Sequence, residues 1–229
     1  HTNAEWAGKP FTLLTWQIEL TKNIFSVIRE DGYRQFTTAY VEIAKKQGKT
    51  ELGAAIALYM LMADGEYGAE IYSCAADRSQ AGLIYKVAAG MIRLSPALKK
   101  RLKIIDSQKR IVYHAKNSAY QVLSSEAYSK HGISPSAVLF DETHVANREM
   151  MEVMLNGASD ARRQPLNFLI TTAGHDFLSV GYELHQKAVD IMAGKKTDQT
   201  FYPTIYAASP DDDWTLPEVW KKANPSLGV

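Results

Sequence analysis

The sequence lacks the features that mark several large protein classes. Its one cysteine, Cys74, excludes a disulfide within the chain, and the histidines show no spacing with it that suits a zinc site. No apolar run is long enough to span a bilayer, and no signal-peptide pattern is present at the amino terminus. The 26 basic and 25 acidic residues leave a net charge of +1, so any DNA-binding surface must be a local patch.

What remains is the composition of an ordinary folded protein. With 229 residues, of which 46% are hydrophobic, the chain can build one substantial core. Cys74 lies in an apolar run, which suits a buried thiol in a reducing cytosol. We therefore expect residues 1–229 to form one globular unit, in which the polar residues 1–10 are poorly tied down.

The segment 44–50 ends in Gly48-Lys49-Thr50, which predicts a P-loop. In such a loop, backbone N–H groups surround phosphate oxygens, the lysine reaches the β- and γ-phosphates, and the hydroxyl ligates Mg²⁺. A β-prone run precedes the loop, and apolar residues recur at helical spacing after it. The full pattern has a glycine where this chain has Ile43, so the loop is atypical, and the tripeptide alone would also fit a chance turn.

A second element, Ala137 to Glu142, turns the balance towards a nucleotide site. It is a short apolar strand that ends in Asp141 and Glu142, as a Walker B segment does. A strand buried on both faces of a parallel sheet has such a continuous apolar run, and its carboxyl end faces the ligand crevice. Asp141 is then expected to hold the Mg²⁺ shell and Glu142 to orient or deprotonate the attacking water. For an isolated pair, a solvated helix start would be the alternative.

Two further positions are candidates for contacts with a nucleotide. Gln17 carries an amide that can offer both a donor and an acceptor to an adenine edge, although a lone glutamine at a helix start is usually solvated. Thr171 and Thr172 end the apolar run from Leu166, where they can sense the γ-phosphate. The alternative for these threonines is simple β-propensity.

The order of the patterns predicts an α/β fold. Apolar strand-like runs alternate with segments of helical periodicity along most of the chain, which indicates a mostly parallel sheet flanked by helices. Between residues 101 and 125 the pattern changes to short runs of alternating polar and apolar residues. These runs predict short antiparallel strands with one solvated face.

Seven short segments, taken together and in order, resemble one known family. They are residues 14–17, 45–50, 75–81, 139–144, 164–166, 170–174 and 220–225. In this set the chain is similar to the large terminase subunit of tailed bacteriophages, and in particular to its ATPase half. The atypical P-loop without the first glycine also resembles that family rather than kinases or GTPases.

The resemblance implies an additional-strand (ASCE-type) P-loop ATPase that packages viral DNA into a preformed capsid. The strand ending at Thr171 and Thr172 would lie between the P-loop strand and the Walker B strand and couple hydrolysis to movement. The resemblance also implies roles for individual residues: Gln17 reads adenine, the loop Lys45, Lys46, Gln47, Gly48, Lys49 and Thr50 binds ATP, Thr50 and Asp141 hold Mg²⁺, and Glu142 is the catalytic carboxylate.

Arginines that relatives use are replaced or shifted in this chain. Lys45 stands where many relatives have a P-loop arginine, which keeps the charge but loses the bidentate fork, and we expect it to share in catalysis. Relatives often place a further arginine shortly before the Walker B strand, where this chain has Lys130. Arg162 and Arg163 are therefore further candidates for a basic residue that acts on a neighbouring subunit's site.

The resemblance also implies the partners and the place of action. They are double-stranded viral DNA, the portal protein, the small terminase subunit and further copies of the chain in a ring, in the host cytoplasm and transiently at the procapsid portal, with no membrane. Large terminases usually carry a nuclease domain after the ATPase, and the sequence stops near that junction, so we expect an excised ATPase piece without nuclease activity. The alternatives are a P-loop helicase or translocase of another kind and a nucleotide-binding module without catalysis.

Overall fold

The computed structural model describes residues 8–75, 78–123, 133–159 and 162–228, and only the backbone of residues 78–80, 145, 158 and 159. Its helices are α1 (Thr15–Ser26), α2 (Lys49–Met62), α3 (Arg78–Leu94), α4 (Pro96–Lys99), α5 (Arg148–Ser159), α6 (Val180–Met192) and α7 (Pro217–Ala223). Its strands are β1 (Thr38–Glu42), β2 (Glu70–Cys74), β3 (Lys103–Ile105), β4 (Arg110–Tyr113), β5 (Ser118–Leu123), β6 (Ala137–Asp141), β7 (Leu166–Thr171) and β8 (Phe201–Ile205).

The described strands form one sheet in the order β3-β4-β5-β2-β6-β7-β1-β8. From β5 to β8 all neighbours are parallel, while β3, β4 and β5 pair antiparallel at one edge. The α/β fold with a mostly parallel sheet and short antiparallel strands is thus confirmed. So is the additional strand, because β7 lies between the P-loop strand β1 and the Walker B strand β6.

Two apolar layers cover the two faces of the sheet, which explains the continuous apolar runs. Leu139 of β6 packs in a cluster with α1, α2 and α3, while the next residue, Phe140, packs with α5 and α6. Ile170 and Leu169 of β7 divide between the same two clusters. Successive side chains of a strand point to opposite faces, so a central strand must be apolar at every position.

Several element ends differ from the sequence expectation. The helical pattern runs to Ile28, but α1 ends at Ser26 because Ile28 pairs with Arg34 in an antiparallel bridge. The strand-like segment from Leu166 extends to Gly174, past the two threonines that end its apolar part, but β7 ends at Thr171 because the amide of Thr172 donates to Glu142 instead of to a neighbouring strand.

The β-prone residues of the sequence predict a strand near residues 203–207, and β8 covers Phe201–Ile205. Among the described strands it pairs only with β1, and this edge position tolerates Pro203, which has no N–H to donate. Among the described residues, none of the helices combines the length and the hydropathy needed to cross a bilayer. The carboxyl ends of the parallel strands β1, β7 and β6 lie side by side at the same end of the sheet, where the candidate site lies.

Candidate active site

The segment between β1 and α2 forms a tight loop that ends at a helix amino terminus. Gly48 precedes the first residue of α2 and has φ of +79°, a conformation that glycine adopts without the steric cost of a Cβ atom. A Cβ atom there would also lie 3.4 Å from Nε2 of Gln17. Lys46 is left-handed as well, with φ of +64°. The free N–H groups at the start of α2 make this loop suited to bind an anion.

The structure explains why Ile43 replaces the first glycine of the usual pattern. Its side chain is buried in the core cluster to which α1 and α2 also contribute, so it anchors the start of the loop in the core. Its amide donates to the Thr171 carbonyl at 3.0 Å, which ties the loop to β7. Its carbonyl accepts a hydrogen bond from Nζ of Lys49 at 3.4 Å. The start of the loop is thus tied both to Thr171 of β7 and to Lys49 at the loop's other end.

Lys49 and Glu142 face each other across the end of the sheet. Lys49 Nζ lies 3.5 Å from Oε1 of Glu142, and the lysine side chain is 8% exposed. Glu142 follows β6 with φ of +59°, an unusual backbone conformation for a residue with a Cβ atom. Such strain at a carboxylate that faces a P-loop lysine is typical of a functional site.

Glu142 is kept ionised by its surroundings. Burial by itself raises the pKa of this carboxyl, but the Lys49 ammonium and two hydrogen bonds from Thr172 hold that pKa below its usual value. The Thr172 amide donates to Oε2 at 3.2 Å, and its hydroxyl donates to the same oxygen at 2.9 Å. Glu142 is therefore a carboxylate at neutral pH, as a proton acceptor must be.

Asp141 has the opposite environment, although it is the adjacent residue. Its Oδ1 is buried and has no hydrogen-bond partner among the described residues. Burial first, and the charge of Glu142 second, raise the pKa of Asp141 from 3.8 to about 6. A buried carboxylate oxygen without a partner lacks the compensation that buried charges need. This environment fits a bound divalent cation.

A stability measurement tests this description of Asp141. Because its pKa is higher in the folded than in the unfolded chain, ionised Asp141 destabilises the fold, fully so above about pH 6. Without nucleotide and metal, Asp141→Asn should therefore raise the free energy of unfolding at pH 7.5 by about 1–3 kcal/mol. The gain should shrink as the pH falls from 6 towards 4. Urea unfolding of the parent and the variant at pH 7.5 and at pH 4 measures this gain, with the exposed Asp211→Asn as the control. An unchanged or lower stability of Asp141→Asn at pH 7.5 would contradict the description.

A cavity of about 680 Å³ lies beside the P-loop. Residues 9–12, Gln17 and residues 46–48 line it. Gln17 is buried, with its Oε1 accepting a hydrogen bond from the amide of Leu14 at 3.0 Å. The structure therefore brings Gln17 to the loop, and the reading of adenine by its amide stays a prediction.

The carboxyl-terminal segment completes this cavity, which the sequence motifs did not predict. Ser226 lines it, and the Ser226 amide donates to Oε1 of Gln47 at 2.8 Å. Nε2 of Gln47 donates to Oδ1 of Asn224 at 3.4 Å, and the indole of Trp16 donates to the Ser226 hydroxyl at 2.9 Å. The sequence signal was present, because Asn224 belongs to the motif at residues 220–225, but the motif gave no role.

The remaining loop residues differ in exposure. Lys45 and Lys46 are exposed and Thr50 is half-buried in the first turn of α2, beside the buried Lys49. Nothing in the structure tests whether Lys45 takes part in catalysis. Thr171 is buried, and its hydroxyl donates to the Thr172 carbonyl at 2.9 Å. Both threonines are thus placed beside Glu142, while their role as sensors stays a prediction.

Arg162 and Arg163 lie far along the sheet from the P-loop, just before β7 begins. Arg162 is held within its own chain, where its guanidinium donates to the carbonyls of Ser134 and Gly68 at 2.9 and 3.1 Å. Arg163 is exposed and donates to the Tyr33 hydroxyl at 2.6 Å. Lys130 lies outside the described residues. The action of any of the three on a neighbouring subunit stays a prediction.

Comparison with known proteins decides the family. A family model described as "Terminase large subunit, ATPase domain" matches residues 15–189, a span that contains the P-loop, Asp141, Glu142 and both threonines. The chain belongs to this family. The resemblance found in the sequence is thus confirmed.

Individual terminases show how far the similarity extends. The large subunit of Enterobacteria phage HK97 is 31% identical over 197 residues, which cover 83% of this chain and 38% of that protein. The crystal structure of the HK97 bacteriophage large terminase matches with a TM-score of 0.82 and 28% identity, over 96% of this chain and 44% of that chain. This terminase ATPase chain therefore spans less than half the length of these relatives.

More distant terminases share the fold alone. A mutant ATPase domain of the Thermus phage P74-26 large terminase has a TM-score of 0.66 at 13% identity, over 89% of this chain and 84% of that chain. The large terminase of a thermophilic bacteriophage, solved in complex with ADP, has a TM-score of 0.59 at 11% identity, over 89% of this chain and 48% of that chain.

Proposed function

We propose that this terminase ATPase domain hydrolyses ATP with Mg²⁺ and uses the energy to move double-stranded viral DNA into a preformed capsid. The observation that carries the proposal is the distance of 3.5 Å between Lys49 and Glu142. Thr172, which directly follows the additional strand β7, donates a hydrogen bond to the same carboxylate. A phosphate-binding lysine, a carboxylate base and a coupling strand then meet at one edge of the sheet.

The chain's own groups suit each part of ATP. The triphosphate binds the backbone N–H groups of residues 45–50, and Lys49 leaves Glu142 to reach the β- and γ-phosphates. The adenine and ribose enter the cavity beside Gln17 and Ser226. Thr50 and Asp141 hold Mg²⁺, which when bound neutralises charge on the phosphate oxygens.

Glu142 acts as the general base in this proposal. A water oxygen forms a bond to the γ-phosphorus, and the bond from that phosphorus to the β–γ bridging oxygen breaks, which yields ADP and inorganic phosphate. The proton of the attacking water passes to Glu142. Its lowered pKa keeps the carboxylate ionised, and the two bonds from Thr172 fix its oxygen Oε2.

Movement is coupled to hydrolysis through β7. Because Thr172 directly follows β7 and binds Glu142, a change at the γ-phosphate displaces the end of the strand between β1 and β6. The motor works as a ring of copies at the capsid portal, with the portal protein and the small terminase subunit as partners, in the host cytoplasm. What supports this assembly is membership in the terminase family.

Two other functions of P-loop proteins explain this chain less well than the terminase motor does. A nucleotide-binding module without catalysis has no need for a strained, ionised carboxylate opposite the P-loop lysine, yet Glu142 has both properties. A helicase or translocase of another kind shares the Lys49 and Glu142 chemistry. The family match favours the terminase motor over it.

Specific ATPase activity should rise with protein concentration. Among the described residues, no arginine forms a hydrogen bond or ion pair with Lys49 or Glu142. In other P-loop ATPases and GTPases, an arginine supplied by a neighbouring protein increases the rate by about 10³ to 10⁵. A Glu142→Gln chain mixed with an Arg162→Ala/Arg163→Ala chain should regain activity, since the first chain supplies the arginines that complete the site of the second. Phosphate release across a concentration series measures both effects.

Arg163→Ala alone is the cleaner partner in the mixing experiment. Arg162 holds the carbonyls of Gly68 and Ser134, so its loss also disturbs the starts of β2 and β6, whereas Arg163 is exposed. Turnover that does not depend on concentration, with no rescue on mixing, would show that one subunit contains the complete site. Stimulation by double-stranded DNA in the same assay separates a DNA motor from a DNA-independent ATPase.

A further inference from the structure

His144 lies two residues after Glu142, in a short 3₁₀ turn that follows β6. Its Nδ1 atom is 3.0 Å from the hydroxyl of Thr171 and 3.3 Å from Oε2 of Glu142. The imidazole thus contacts both the carboxylate at the end of β6 and the last residue of β7. Neither phosphate binding nor proton transfer in the proposed ATP hydrolysis uses this side chain.

The hydrogen bonds around Thr171 favour one tautomer of His144, with the proton on Nδ1. The Thr171 hydroxyl donates its hydrogen to the carbonyl of Thr172 at 2.9 Å. With that hydrogen on the Thr172 carbonyl, the same oxygen accepts from His144, and in this arrangement Nδ1 is the N–H donor. The same nitrogen lies 3.3 Å from Oε2 of Glu142, within ion-pair distance, and that oxygen also accepts the two hydrogen bonds from Thr172.

Two glycines leave room for His144 in this place. A Cβ atom at Gly174, in the segment after β7, would lie 2.7 Å from Cβ of His144. A Cβ atom at Gly181, in the first turn of α6, would lie 2.6 Å from Cα of His144 and 2.8 Å from the Thr143 carbonyl. Real Cβ atoms do not approach so closely, so any larger residue at either position would displace the turn. The backbone on both sides is thus closely packed around the histidine.

We propose that His144 is a positioning residue for ATP hydrolysis, whose Nδ1 atom lies against the Glu142 carboxylate and, through its hydrogen bond with Thr171, links that carboxylate to the end of β7. The inference rests on the proposed function, in which Glu142 is the base. With Oε2 held by Thr172 and His144, Oε1 is the oxygen that faces Lys49 and the P-loop. Oε1 is therefore the atom that accepts the proton of the attacking water.

Asparagine and glutamine variants separate the two ring nitrogens. The side-chain amide in His144→Asn can place a donor near the position of Nδ1, whereas the longer side chain in His144→Gln places it near the position of Nε2. His144→Ala should lower kcat roughly 10-fold to 100-fold, the range expected for a hydrogen bond to a charged group, while KM and the affinity for ATP change little. His144→Asn should recover most of kcat, and His144→Gln should not.

Thr171→Val tests the second half of the contact. It removes the hydroxyl that accepts from His144 and should lower kcat in the same direction. If the two residues act as a unit, the double variant His144→Ala/Thr171→Val should lose less than the product of the two single losses. The exposed His114→Ala, on the far antiparallel edge of the sheet, is the matched control and should retain the parental kcat.

Thermal unfolding of every variant separates positioning from folding. A purely structural histidine would lower the Tm of all three His144 variants and leave kcat per folded molecule unchanged, which would overturn the inference. Equal kcat for His144→Asn and His144→Gln would overturn it as well. If the parental chain itself hydrolyses no ATP, the proposed function fails; if it does and His144→Ala keeps the parental kcat, only the role of His144 fails.

Discussion

Glu142→Gln should lower ATP turnover roughly 100-fold or more, because general-base catalysis supplies about 10² to 10⁴ in rate and an amide cannot take the proton. ATP affinity should stay the same or rise slightly. The reason is that Glu142 competes with the phosphates for Lys49 in the free protein, and the neutral amide competes less. The amide oxygen can still accept the hydrogen bonds that Thr172 donates, so the local structure should persist.

Single-turnover phosphate release and calorimetric titration with ATP measure the two halves of this prediction. Glu149→Gln, which changes an exposed carboxylate at the start of α5, is the matched control and should behave as the parent. Turnover within a factor of about two of the parent would place the base on another residue, since a general base supplies at least about 10² in rate.

Lys49→Ala should reduce kcat/KM for ATP roughly 100-fold or more and weaken ATP binding, because the loss removes the ammonium that neutralises the β- and γ-phosphates. The site suffers a second change. Lys49 also donates to the Ile43 carbonyl and holds down the pKa of Glu142, so the variant leaves a buried carbonyl and a carboxylate without their cation.

A matched lysine variant shows whether the effect belongs to the site. Lys86→Ala, on the exposed side of α3, removes the same charge far from the P-loop and should leave ATP binding unchanged. Lys49→Arg should recover only part of the loss, because a planar guanidinium does not replace a compact ammonium. Unchanged ATP affinity and hydrolysis in Lys49→Ala would remove the basis for the whole site.

Local patterns predicted the local structure at the parts of the candidate site that are continuous in sequence. Gly48, Lys49 and Thr50 follow a strand and open a helix, and Asp141 and Glu142 end an apolar strand, so chemistry and local structure agree at both places. The central strands could be predicted from the sequence because burial on both faces requires apolar residues at nearly every position. The position of β7 between β1 and β6 came from the family resemblance, since periodicity does not specify strand order.

Contacts between distant residues could not be predicted. Ser226 reaches Gln47 across 179 residues, and no pattern in either segment indicates that contact. His144 was visible only as part of a motif, because its role depends on a turn that brings it back to Thr171. Similarly, Arg162 is a basic residue in the sequence, while its bonds to Gly68 and Ser134 depend on how β2, β6 and β7 align.

The most direct test of an ATP site at residues 45–50 is a crystal structure of the chain with a non-hydrolysable ATP analogue and Mg²⁺. We expect the triphosphate on the backbone N–H groups of this loop, with Lys49 moved from Glu142 to the phosphates and Mg²⁺ held by Thr50 and Asp141. We expect the adenine in the cavity beside Gln17. A nucleotide bound elsewhere, or a P-loop that stays empty at saturating analogue, would contradict the account.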